Sequence, residues 1–198
     1  MADTSSIENL IRSMGESEAA AREAAARAIF KRGRELAHPA IEIWLADAEM
    51  KRLFALDDYG NVVTTAGIAV HPANFERLRI VNGSPRLADV PPDQDAKEFE
   101  LHFGREIRLD ILTTRDPGGT GAIARFLNKS GEGIQQVELT VRDVDRATEI
   151  LRERFGQSAV YPETRAGADG TRVNFFLVTT PQPKKVLIEF VEERKNSS

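Results

Sequence analysis

Side chains that exchange protons or hold ligands recur at every second residue in several stretches of this 198-residue chain. KEFELHFG (97–104) sets Phe99, Leu101 and Phe103 against Glu98, Glu100 and His102. REIRLDILTT (105–114) sets Ile107, Leu109 and Ile111 against Arg108 and Asp110. Such alternation marks a strand with one buried face. GEGIQQVELTV (131–141) places two glutamines side by side, so one of Gln135 and Gln136 must look inward. Gln136 shares a face with Glu138, although a bulge would exchange it with its neighbour. In KKVLIEFVEE (184–193), Glu189 is the acidic residue among apolar ones. Arg172 and Asn174, or the latter's neighbour, complete the polar set. Carboxylates, amides and an imidazole in this pattern are equipped to accept protons and donate hydrogen bonds. The same pattern also describes strands that simply turn one face to water.

Two repeated units must position these residues. VVTTAGIAV (62–70) is a β-branched strand and NFERLRIVNG (74–83) a short helix with a glycine stop. An extended, Pro-rich segment (84–95) leads into the two alternating strands, giving β-α-β-β-β. The second half repeats the order: strand 134–141, helix 144–156, extended segment 158–170, strands 171–180 and 184–193. Internal repetition of this kind sets the fold. The expected class is α+β, with two tandem βαβββ modules (62–115 and 131–194) enclosing a cleft within a core of 59–198. Residues 1–58 form a helical extension. In it Ser5 and Glu8 fit a capping box, SEAAAREAAARAIFKRGREL (17–36) is a strong helix, and Pro39 opens a third helix over 39–56. The apolar residues of 39–56 suit packing on the core or a homodimer contact.

Composition excludes several functions. There is no cysteine, so thiolate nucleophiles, disulfides and cysteine-ligated metal centres are absent. A net charge of −4 with interspersed signs provides no broad basic face for nucleic acid. No apolar stretch approaches the roughly 18 residues of a membrane span, and the N-terminus lacks a signal-peptide pattern. A cytoplasmic protein is expected. PGGTG (117–121) lacks the Lys-Ser/Thr ending of a phosphate-binding loop and reads as a turn, and no residue is assigned to an organic cofactor.

The paired modules resemble the vicinal oxygen chelate superfamily, which includes glyoxalase I and extradiol dioxygenases, and are most similar to its methylmalonyl-CoA epimerase-like members. The resemblance spans about 62–193 and is carried by FLNKSGEGIQQVELTV (126–141), GADGTRVNFF (167–176), KKVLIEFVE (184–192) and PDQDAKEFEL (92–101). It implies a divalent metal in the cleft, ligated from the first and last strands of each module. Carried over, those positions are Thr65, Asp110, Gln136 and Glu189, the fourth unchanged. Gln135-Gln136 stands where the family has a His-His pair. A site of Asp110, Gln136, Glu189 and a Thr65 hydroxyl is all oxygen, which suits Mg2+, Mn2+ or Ca2+. The alternative is a metal-free cleft in which Gln136 donates a hydrogen bond to Asp110 or Glu189. The resemblance also implies two catalytic glutamates, Glu98 and Glu189, that move a proton α to a carbonyl. A further departure is FFLVTTPQPKK, where the epimerases carry His-Pro. Lys184 and Lys185 there would meet an acyl-CoA phosphate or form a solvated turn. Two readings follow: an isomerase or lyase acting on a small acid or acyl thioester, or a small-molecule-binding protein like the metal-free members that sequester antibiotics.

Overall fold

The computed structural model describes residues 6–179 and 185–192. Six α-helices and seven strands are present among them: α1 (Ile7–Met14), α2 (Ala19–Leu45), α3 (Ala48–Leu53), β1 (Thr64–Ala69), α4 (Pro72–Val81), β2 (Lys97–Phe103), β3 (Ile107–Thr113), α5 (Ala122–Ser130), β4 (Gly133–Thr140), α6 (Val144–Phe155), β5 (Arg165–Ala166), β6 (Arg172–Thr179) and β7 (Lys185–Glu192). The architecture is the expected α+β class. No helix among the described residues is long and apolar enough to cross a membrane. The chain forms two compact units, Met1–Gly33 with Thr65–Gln135 and Arg34–Thr64 with Gln136–Ser198.

In the first unit β2 runs antiparallel to β3, which runs parallel to β1. Phe99, Leu101, Leu109, Ile111, Ala66 and Ile68 line one sheet face and are buried. They join one core with Leu10, Ile11 and Met14 of α1, Ala25, Ala26 and Ile29 of α2, and Phe75 and Leu78 of α4. The Phe75 and Phe99 rings meet edge to face at 4.8 Å. Ser6 rather than Ser5 caps α1, its Oγ accepting the Asn9 N–H at 3.2 Å. Ser5 itself lies outside the described residues. The Pro-rich 84–95 segment forms no strand, so this module is β-α-β-β. Proline supplies no N–H to a ladder, and Pro85, Pro91 and Pro92 fall in this stretch. A single bond from the Ala88 N–H to the Glu98 carbonyl, 3.0 Å, ties it to β2.

In the second unit β4 lies parallel to β7, β7 antiparallel to β6, and β6 antiparallel to the two-residue β5. Phe190 is central: the Trp44, Phe54 and Phe176 rings lie 5.5, 5.9 and 4.9 Å from it. The extension does not break at Pro39; α2 continues through it to Leu45. Burial of Ala37, Ala40 and Trp44 outweighs the lost backbone hydrogen bond. Asp47 then caps α3, accepting the N–H groups of Glu49 and Met50 at 2.9 Å each. Beyond α3 the backbone is woven into the unit, with the Ala55 N–H bonded to the Thr140 carbonyl and the Arg142 N–H to that of Leu53. Two arginines of α6 clamp α3. Arg146 Nε reaches Glu49 at 2.7 Å, and Arg154 reaches Asp47 at 2.7 Å and Glu49 at 2.5 Å.

Candidate functional site

Strand register decides which polar residues share a face. In the first unit Glu98 stands opposite Leu112, Glu100 opposite Asp110, and His102 opposite Arg108. These five polar residues therefore lie on one face, the one turned away from the core, as their alternation predicts. Gly67 pairs with Asp110, so Thr65, two residues earlier on β1, belongs to the same face. Asp110 is only 5% exposed, while Glu98 and Thr65 are half-buried. His102 Nε2 and Glu100 meet at 2.9 Å on the exposed part of this face.

In the second unit Glu138 of β4 stands opposite Glu189 of β7. Alternation then puts Gln136 on their face and Gln135 on the other, which settles the parity of the glutamine pair. Gln136 and Glu189 are buried, and Glu138 is half-buried. The Gln136 amide Nε2 donates to Glu189 Oε2 at 2.5 Å and to Glu138 Oε1 at 3.3 Å. Two like charges directly across a strand pair repel. An amide nitrogen carries two N–H groups, one for each carboxylate.

Arg172 and Asn174 do not share Glu189's face. Asn174 pairs with Phe190 and is fully buried on the core side, its Oδ1 accepting the Phe175 N–H at 2.9 Å. Arg172 pairs with Asp145 at 2.5 Å and Glu192 at 3.3 Å. Phe175 is the residue across from Glu189. Tyr161 packs edge-on against Phe175 at 5.9 Å, and the Arg165 guanidinium lies 4.5 Å over the Tyr161 ring. An aromatic wall carrying a cation thus borders the carboxylate, a combination suited to a substrate with an apolar body and an acidic group. The sequence signal that would have found it is parity along β6 counted from Glu189.

The glycine stretch is a turn, in which the Gly118 N–H donates to Asp116 Oδ1 at 3.1 Å and the Gly119 N–H to the Asp116 carbonyl at 3.0 Å. Asp95 accepts the backbone N–H groups of Arg115 and Asp116 at 3.0 Å and the Thr114 hydroxyl at 2.5 Å. Chiefly through the Thr114 bond, its carboxyl is held below the ordinary value. A methyl group on Gly121 would lie 2.7 Å from Asp95 Oδ2, so the residue is glycine because the carboxylate packs against it. Lys184 lies outside the described residues, and Lys185 begins β7 with an exposed side chain.

No protein-family model matches the chain, and neither does any curated protein. Solved structures do. The crystal structure of methylmalonyl-CoA epimerase from Mycobacterium tuberculosis is 31% identical, with TM-score 0.53, covering 66% of this chain and 87% of that one. A hypothetical protein from Bacillus halodurans is 26% identical, with TM-score 0.54, over 70% of this chain and 97% of its own. A methylmalonyl-CoA epimerase in complex with methylmalonyl-CoA and NH4+ is 23% identical, with TM-score 0.51, over 71% and 95%, a likeness of fold.

Proposed function

Because the chain belongs to the vicinal oxygen chelate superfamily, among its methylmalonyl-CoA epimerase-like members, we propose that it moves a proton on the carbon α to the carbonyl of a small acid or acyl thioester. The observation that carries this reading is Glu189: a carboxylate 7% exposed, held at 2.5 Å by Gln136 and faced by Phe175. A base must hold its position to take a proton from carbon, and the hydrogen bond from Gln136 fixes that of Glu189.

The superfamily implies a divalent metal. The positions carried over, Thr65, Asp110, Gln136 and Glu189, offer oxygen donors, with no imidazole among them. The Gln136 nitrogen points at the two carboxylates, so the amide joins them by hydrogen bonds where a ligand would turn its oxygen to a cation. Among the described residues no three His, Asp or Glu side chains are placed to hold a metal ion. The residues do not fit a histidine-type centre, and the proton step is assigned to the chain's own carboxylates. In it the Cα–H bond breaks, the proton passes to one of Glu98 and Glu189, and the electron pair moves to the thioester oxygen as an enolate. The resemblance implies that the other carboxylate, as its acid, returns a proton to carbon, which completes the epimerisation. Tyr161, Phe175 and Arg165 would receive the remainder of the substrate beside Glu189.

The test is deuterium uptake at Cα of methylmalonyl-CoA in D2O, followed by NMR. The intact protein is expected to exchange the α-proton. Glu189→Gln and Glu98→Gln are each expected to lower the rate about a hundredfold or more. Exchange unaffected by Glu98→Gln would refute the two-base scheme. Binding of the thioester without exchange would transfer the assignment to the metal-free binding members of the superfamily.

A further inference from the structure

A groove of about 380 Å³ opens on the first unit, lined by Glu8, Arg12, His71, Asn74, Arg77, Gly131 and Glu132. Three segments build it: α1, the start of α4, and the linker into β4. Its volume is that of a small-molecule site. α1 lies in the extension, outside the stretch that resembles the epimerases, so the Glu8 and Arg12 side of the groove is added to the shared modules by this chain.

The charges in it are unequally engaged. Glu132 is tied to the start of α4: its Oε1 accepts the His71 N–H at 2.8 Å, and Asn74 Nδ2 reaches both its oxygens at 2.8 Å. The helix start is therefore already occupied by this chain's own carboxylate. The two guanidinium groups are not engaged. Among the described residues neither the Arg12 nor the Arg77 side chain makes a hydrogen bond or an ion pair, and Arg77 Nε is buried with no acceptor. A buried N–H without a partner is costly, and an arginine fork matches the planar or tetrahedral face of an oxyanion. The backbone makes room for that fork. A methyl group on Gly15 would lie 2.7 Å from Arg77 Cζ, so the guanidinium crosses the end of α1 at a residue without a side chain.

The geometry points to a site for a small phosphate- or carboxylate-bearing ligand, with Arg12 and Arg77 on the oxyanion and the Glu8 carboxylate accepting from hydroxyl or ammonium groups at the other side. Phe75 and Leu78 of α4 are buried in the core on the helical side of this unit's sheet, whereas Glu98 and Asp110 lie on its opposite face. A ligand in the groove thus does not touch those carboxylates, and the site is independent of the proposed proton transfer.

The experiment is an NMR titration of the full-length protein with inorganic phosphate and, separately, succinate, each against sodium chloride at equal ionic strength. The arginine Nε–H and His71 ring signals are the readouts. Expected is a saturable shift of Arg12, Arg77, His71 and Gly131, larger for one oxyanion than the other, which identifies its source. Arg77→Gln should abolish it with the fold intact. If that variant fails to fold, Arg12→Gln, on an exposed position, should weaken binding about tenfold. Shifts equal in chloride, or unchanged in Arg12→Gln, would overturn the proposal.

Discussion

Replacing Gln136 with leucine keeps the side chain's bulk and removes its two donors. The bond to Glu189 at 2.5 Å is between buried groups and ends on a carboxylate, and the one to Glu138 at 3.3 Å is weaker. A hydrogen bond to a charged group contributes about 1.5–3 kcal/mol, and a like-charge pair directly across strands costs up to about 1 kcal/mol. The substitution removes one partner of a buried carboxylate and the bridge that links it to Glu138. Together these give an expected loss of about 2–4 kcal/mol, or a Tm lower by roughly 5–12 °C for a chain of this length. Urea unfolding monitored by the single tryptophan, Trp44, which packs on Phe190 of the same strand as Glu189, provides the readout. A double-mutant cycle with Glu189→Gln isolates the pair and should return a coupling of about 1.5–3 kcal/mol. A loss below about 0.5 kcal/mol together with no coupling would refute the view that the amide holds the carboxylates.

Glu49 provides a pH test: hydrogen bonds from Arg146 and then Arg154 pull its carboxyl from the ordinary 4.5 to about 2. A depressed folded-state value stabilises above the unfolded one, so the Tm deficit of Glu49→Gln should be constant above 4.5 and close as pH falls toward about 2. Asp95→Asn, which weakens the bonds ordering residues 114–116, should cost about 1–2 kcal/mol in chemical unfolding. Pro39→Ala restores an N–H inside a continuous helix and should raise stability by about 1–3 kcal/mol; a lower Tm would show that the helix depends on the proline.

The polar face of β2 and β3 was legible because both strands alternate without interruption and their register pairs like with like. The second unit was harder. In IQQVELTV an amide precedes the core residue Val137, and periodicity alone does not say which glutamine is inside; only the pairing of Glu138 with Glu189 does. In β6 the run RVNFF offers apolar residues at both parities. A count from Arg172 therefore selects Asn174, whereas the register selects Phe175. Pro39 is read as a helix start from local propensity, and tertiary burial of Ala37, Ala40 and Trp44 overrides it. The groove on α1 and α4 left no trace in any motif, because its residues are far apart in sequence and carry no periodic signal.

Glutamine at position 136, where the family resemblance implies a histidine, then has a physical logic of its own. A neutral imidazole has one N–H and one lone pair, and beside a carboxylate pair that lone pair is completed by a cation or a proton. A primary amide has two N–H groups on one nitrogen. Placed between Glu138 and Glu189, it links both carboxylates without adding charge, as the distances of 3.3 and 2.5 Å show. A metal bound at the same place would draw electron density from Glu189 and make it a weaker proton acceptor. The amide instead fixes Glu189 in place by a hydrogen bond, and a positioned carboxylate is one suited to removing a proton from carbon.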